Sequence, residues 1–264
     1  MRTKVMNARH KLIVALDVDT AERAFYLVDM LRDSVGMFKV GMQLFTAAGP
    51  DLVRRIVSSG SRVFLDLKYH DIPNTVALAA VEATRLGVSI FNIHASGGSE
   101  MMRRTAEAVA ETAENESLAK PSIIAVTVLT SVDHEVLRQI GIDEAPTSIV
   151  GRLALLAKES GLDGVVASAR EIKIIRETVA DPKFLIVTPG MRSVNATVDD
   201  QRRTMSVADA IRAGADYVVV GRPVLNAPDP VEAARGLLVE IAQAFSVGDG
   251  ESEFAEQSRA QSVH

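Results

Sequence analysis

Apolar runs of strand length alternate with helical patterns, in order and without a break, over most of this chain. The runs are Lys11 to Asp17, Met37 to Gly41, Val63 to Leu67, Ser89 to Ala95, Ser122 to Thr130, Gly164 to Ala169, Phe184 to Thr188 and Tyr217 to Gly221. Between them the pattern predicts helices over Ala21 to Arg32, up to about Gly60, and over Pro73 to Leu86, Gly98 to Ala113, Pro146 to Ser160, Arg170 to Thr178, Ser206 to Ala213 and Pro230 to Phe245. Gly60, Gly87, Gly161 and Gly214 fall where helix C-termini need a left-handed residue. Strand–helix units of about 25 to 35 residues, eight of them, predict a single-domain α/β (β/α)8 TIM barrel over residues 11–245. An open doubly wound sheet is disfavoured, because similar units fill the chain without a second domain. No Gly-x-Gly-x-x-Gly follows the first run, so a dinucleotide fold loses its main support. Residues 1–10 read as an N-terminal extension, and 246–264, rich in Ser, Glu and Gln, as a flexible, disordered tail.

Composition narrows the functional classes. A chain of 264 residues that is 47% hydrophobic suits one domain with a large core. With no cysteine, disulfides, thiolate metal sites and cysteine nucleophiles are excluded, and a reducing cytoplasmic setting is compatible. Met1 to Lys11 lacks the apolar centre of a signal peptide. No apolar run approaches the ~20 residues of a membrane span. A net charge of −5 argues against a nucleic-acid surface. Any anionic ligand must then be held by local cations rather than by the overall field.

The third run carries the chemistry. Val63 to Leu67 is apolar apart from one carboxylate, as in a strand buried on both faces. Side chains two apart on a strand share a face, so Asp66 and Lys68 point one way and Val63, Leu65 and Leu67 the other. Asp71 follows just past the strand; Ile72-Pro73 opens a helix, since proline suits a first turn, and Thr75 falls in that turn. A carboxylate, an ammonium and a second carboxylate then meet at the carboxyl end of a strand, where parallel barrels place their active sites. The plainer reading is a helix cap at Asp71 and an internal ion pair between Asp66 and Lys68. Burying such a set for structure alone is costly, which favours a site.

Other strand ends extend the candidate list. Asp17 ends the first strand, Lys39 lies in the second, Thr130 ends the fifth, and Pro189 and Arg192 follow the seventh. Asn92 and His94 share a face of the fourth and are weaker candidates; a satisfied, buried histidine is the preferred reading there. Gly221-Arg222 ends the eighth, where barrels of this kind commonly bind phosphate. Glycine lets a backbone N–H approach an oxyanion, and arginine offers a planar fork matched to phosphate oxygens. Gly190 to Arg203 has little periodicity and holds Arg192 and Gln201, which suits a lid over a phosphate. A solvated loop is the alternative, and pattern alone does not choose.

With these residues assembled, the chain resembles the bacterial-type orotidine 5′-phosphate decarboxylases. The motifs are Leu16-Asp17, Phe38-Lys39-Val40-Gly41, Phe64 to Thr75, Asn92 to Gly98, Val126 to Ser131, Val187 to Arg192, Asp200 to Arg203 and Gly221-Arg222-Pro223. Asp-x-Lys-x-x-Asp alone is shared with sister sugar-phosphate enzymes; Ile72-Pro73-Asn74-Thr75 behind it and Arg192, Gln201 and Arg222 in order make the match specific. The resemblance implies conversion of orotidine 5′-monophosphate to uridine 5′-monophosphate and carbon dioxide, the last step of de novo pyrimidine synthesis, without metal or cofactor. It implies a homodimer in which Asp71, Ile72 and Thr75 reach the partner's site. It makes Lys68 the proton donor within a network of Lys39, Asp66, Lys68 and Asp71. Asp17 and Lys39 then hold the ribose side, Thr130 lies near the base, and Arg192, Gln201, Gly221 and Arg222 engage the phosphate. Two rivals remain: a magnesium-dependent keto-sugar-phosphate decarboxylase or aldolase on the same barrel, and a non-catalytic phosphate-binding barrel.

Overall fold

The structure, a computed structural model, describes residues 2–191 and 205–260, with side chains over 7–191 and 205–245. Eight parallel strands close into a barrel in sequence order: β1 (Leu12–Ala15), β2 (Met37–Gly41), β3 (Val63–Tyr69), β4 (Ile90–His94), β5 (Ser122–Val126), β6 (Gly164–Val166), β7 (Leu185–Pro189) and β8 (Tyr217–Val220). β1 pairs with both β2 and β8, so no strand edge is left open. Helices cover the outside, and Gly60, Gly87, Gly161 and Gly214 take positive φ as the sequence predicts.

Alternation along each strand divides the core in two. Ile13, Ala15, Met37, Phe64, Ile90, Ile124, Val187 and Val219 form one buried cluster. Their immediate neighbours, such as Val14, Phe38, Leu65, Phe91 and Val218, join Leu27, Ile56 and other helix residues in a second, larger cluster. The first cluster is the barrel lumen and the second the layer between strands and helices, because successive strand side chains face opposite ways. Counting by twos from the lumen residues leads up the strands to Asp17, Lys39, Asp66, Asn92, His94, Pro189 and Gly221. The same parity that fills the lumen thus aims these side chains inward at the C-terminal rim.

Several boundaries differ from the sequence expectation. β5 stops at Val126 rather than Thr130, because its neighbour β6 ends at Val166 and offers nothing further to pair with. Thr127 N makes a last, long bond of 3.5 Å to Val166 O. A short helix, His134–Gln139, follows unforeseen; Asp133 caps it by accepting from Val136 N. The N-terminal extension is a helix, Arg2–Lys11, tied down by Arg9, whose guanidinium donates to Val35 O and Arg32 O. The last helix runs Pro230–Ala260, past the expected end at Phe245 and through most of the stretch read as disordered. Propagating a helix from a packed segment costs far less than starting one, so the helix continues into the polar, Glu- and Ala-containing stretch.

Candidate active site

A chain of alternating charges crosses the rim. Lys39 Nζ stands 3.2 Å from Asp17 Oδ1 and 3.3 Å from Asp66 Oδ2, and Lys68 Nζ stands 2.5 Å from Asp66 Oδ1. The order is carboxylate, ammonium, carboxylate, ammonium, with Asp17 two residues past β1, Lys39 on β2 and Asp66 and Lys68 on β3. The inner members are well shielded, with side-chain exposure of 12% for Lys39 and 13% for Asp66. Burial pushes the Asp66 carboxyl up, but the Lys39 charge and hydrogen bonds from Lys68 and Asn92 outweigh it and hold the group below its ordinary value. Asp66 is therefore an anion that fixes both lysines. Gly41 keeps the space open, since a Cβ there would lie 3.1 Å from Lys39 Nζ.

Lys68 reaches this position by an irregular backbone. Its φ is 53°, one of three non-glycine residues in the left-handed region among those described, at a typical cost of about 1–3 kcal/mol. Between the pairs Leu65↔Phe91 and Tyr69↔Ile93, β3 advances four residues while β4 advances two. Asp66, Leu67 and Lys68 thus bulge opposite Asn92 alone. Lys68 N, turned off the ladder, donates to Asn92 Oδ1 at 2.8 Å, and Asn92 Nδ2 donates to Asp66 Oδ1 at 2.7 Å. Simple strand alternation, which placed Asp66 and Lys68 side by side, gives the right neighbours for the wrong backbone.

The remaining candidates divide. Pro189 ends β7, and Gly221 and Arg222 follow β8 on the same rim; a Cβ on Gly221 would lie 3.4 Å from Asp17 Oδ2. Thr130 is exposed in the turn after β5, four residues past the strand. Asp71 does not flank Lys68 of its own chain. It is exposed, joins no ion pair among the described residues, and accepts from its neighbour Ile72 N at 2.6 Å. It does not cap the helix Pro73–Arg85 either, which begins after Ile72 without a side-chain cap. Ile72 and Thr75 are exposed beside it. Arg192 and Gln201 lie outside the described residues.

The comparisons with known proteins agree with this geometry. The family model described as "Orotidine 5'-phosphate decarboxylase / HUMPS family" matches residues 10–237. The chain belongs to the orotidine 5′-phosphate decarboxylase / HUMPS family. Within that family it is 55% identical over 234 residues to orotidine 5′-phosphate decarboxylase of Geobacter sulfurreducens, an alignment covering 89% of this chain and 97% of that protein. It is 54% identical over 237 residues to the enzyme of Moorella thermoacetica, covering 89% and 94% respectively. The crystal structure of orotidine 5′-phosphate decarboxylase from Lactobacillus acidophilus superposes with a TM-score of 0.78 at 36% identity, covering 87% of this chain and 98% of that one. The barrel expected from the sequence is the barrel of this family.

Asn92 is the residue that sequence reasoning undervalued. It is wholly buried and bonds both the backbone of Lys68 and the carboxylate of Asp66. The available signal was its parity with the buried Ile90 on a strand whose rim faces the lysine. His94, two residues on, is half-buried and inward, with its ring 5.4 Å from that of His70.

Proposed function

We propose that this chain decarboxylates orotidine 5′-monophosphate to uridine 5′-monophosphate and carbon dioxide. The observation that carries the reading is the Asp17–Lys39–Asp66–Lys68 charge chain, which ends on Lys68 at 24% side-chain exposure. When the bond from C6 to the carboxylate breaks, carbon dioxide leaves and the electron pair stays on C6, in the ring plane and out of reach of the π-system. No delocalisation disperses that charge, so a fixed cation must meet it where it forms. The Lys68 ammonium does so and then gives its proton to C6, leaving an amine that solvent reprotonates. Asp66 and Lys39 hold the cation in place before the reaction begins, which avoids reorganisation during it.

Reactions at the upper end of enzymatic acceleration need about 20 kcal/mol or more of transition-state stabilisation, beyond what one lysine supplies. Binding at the remote phosphate contributes the rest by closing the site and excluding water. Gly221 and Arg222, with Arg192 and Gln201 from the 190–203 stretch, take the phosphate; Asp17 and Lys39 hold the ribose, Thr130 lies near the base, and Pro189 at the end of β7 contacts the substrate.

The working form is a homodimer in which Asp71, Ile72 and Thr75 complete the partner's site. Three features support this. Asp71 is unpaired by any cation of its own chain among the described residues, Lys68 has one side open, and the neighbouring apolar side chains Ile72 and Leu78 are 67% and 60% exposed. The chain acts in the cytoplasm, consistent with its lack of cysteine. Among the described residues no helix is long and apolar enough to cross a membrane. One assay tests the function: orotidine 5′-monophosphate with excess chelator, followed by loss of its ultraviolet absorbance. Full turnover is expected. Activity abolished by chelator and restored by magnesium would instead favour a sugar-phosphate enzyme of the same family.

A further inference from the structure

Asn92 occupies the one place on β4 that faces the bulge of β3, and it is fully buried there. Both ends of its amide are engaged across that gap: Oδ1 accepts from Lys68 N at 2.8 Å, and Nδ2 donates to Asp66 Oδ1 at 2.7 Å. The Asp66 oxygen it touches is the same one that receives Lys68 Nζ. One side chain therefore grips both ends of the Asp66–Lys68 pair, the main chain of the cation and the carboxylate of the anion. A serine or alanine here would leave Lys68 N without its acceptor, and a lysine free of that bond has no reason to keep its left-handed φ of 53°.

We propose that Asn92 is a positioning residue for proton delivery by Lys68, holding the left-handed turn of Lys68 and the orientation of Asp66 that together aim the ammonium at the reacting carbon. This rests on the function proposed above. The amide is matched to the task in a way that a carboxylate is not. Aspartate keeps the acceptor for Lys68 N but has no donor for Asp66 unless it carries a proton, and as an anion it would repel Asp66 at hydrogen-bond distance. The charged and titratable groups around that point are Lys39 on β2, Asp66 and Lys68 on β3, and His94 on β4 with His70 beyond it.

The test compares wild type, Asn92→Ala and Asn92→Asp across pH, measuring kcat and KM for orotidine 5′-monophosphate and the affinity for uridine 5′-monophosphate by calorimetry. Asn92→Ala should lose about 10–100-fold in kcat, the scale of loss when a hydrogen-bond partner that orients a metal ligand is removed, while product affinity stays within about threefold. Asn92→Asp should gain an ionisation absent from wild type, with activity highest on the acid side and falling about tenfold per pH unit above the new group's pKa. Unchanged kcat in Asn92→Ala, or parallel pH profiles for Asn92→Asp and wild type, would overturn the proposal. Failure of both variants to fold assigns Asn92 to the fold alone and overturns it too. An inactive wild type sinks the function and this inference together; an active wild type with indifferent variants sinks this inference only.

Discussion

Lys68 Nζ lies 2.5 Å from Asp66 Oδ1, and the two residues are joined a second time through Asn92. A buried carboxylate held below its ordinary pKa by two lysines is a fixed negative post, and Lys68 is the lysine on its open side. Lys68→Ala should therefore lower kcat by about 10⁴-fold or more, since it removes both the electrostatic stabiliser and the proton donor. Binding of uridine 5′-monophosphate should survive within about tenfold, because the phosphate and ribose contacts are elsewhere. Near-normal turnover in this variant would exclude Lys68 as the donor.

Arg222 stands at the start of the short helix Arg222–Leu225, exposed and directly after β8. A guanidinium–phosphate pair is worth more than a neutral hydrogen bond, about 1.5–3 kcal/mol. Arg222→Ala should thus raise KM for orotidine 5′-monophosphate by about 10–100-fold. Turnover of orotidine itself, which has no phosphate, should change little. Equal losses for nucleotide and nucleoside would argue against a phosphate contact at this residue.

The barrel was legible because parallel strands covered on both faces write themselves as short apolar runs, and the polar residues ending those runs stand out. Asp17, Lys39, Asp66 and Lys68 were found that way, and the structure brings all four together. What stayed hidden depends on contacts between distant residues. Val126-Thr127-Val128-Leu129 looks like strand in isolation, but strand needs a partner, and β6 is only Gly164–Val166. The left-handed turn of Lys68 has no local signature, because the group that supports it, Asn92, is 24 residues away. Asp71 is three residues from Lys68 in sequence, yet the helix beginning at Pro73 carries its neighbourhood outward to solvent.

That outward placement has a consequence for mixed assemblies. If Asp71 serves the partner's site, an Asp71→Ala subunit and a Lys68→Ala subunit are each defective for a different site of the same dimer. Their mixed dimer holds one site lacking both groups and one lacking neither. Random mixing of the two inactive proteins should then recover about a quarter of wild-type activity per subunit, as expected for closed twofold pairing. Mass spectrometry under native conditions would show that mixed dimers had formed. Mixed dimers without recovered activity would place Asp71 in the service of its own chain.

His94 gives the site a pH dependence of known sign. Burial first, then the charges of His70 and Lys68, push its pKa below the ordinary 6.5, so the folded chain prefers the neutral imidazole. A group whose folded pKa is depressed adds stability that is whole above its unfolded value and is lost as pH falls through the folded one. Melting temperature should therefore fall as the pH drops below the ordinary histidine value of 6.5, before the carboxylates titrate. His94→Gln, which keeps a polar side chain but carries no titrating group, should flatten that slope while leaving the midpoint at about pH 7.5 within a few degrees. An unchanged slope in His94→Gln would assign the acid sensitivity to other groups.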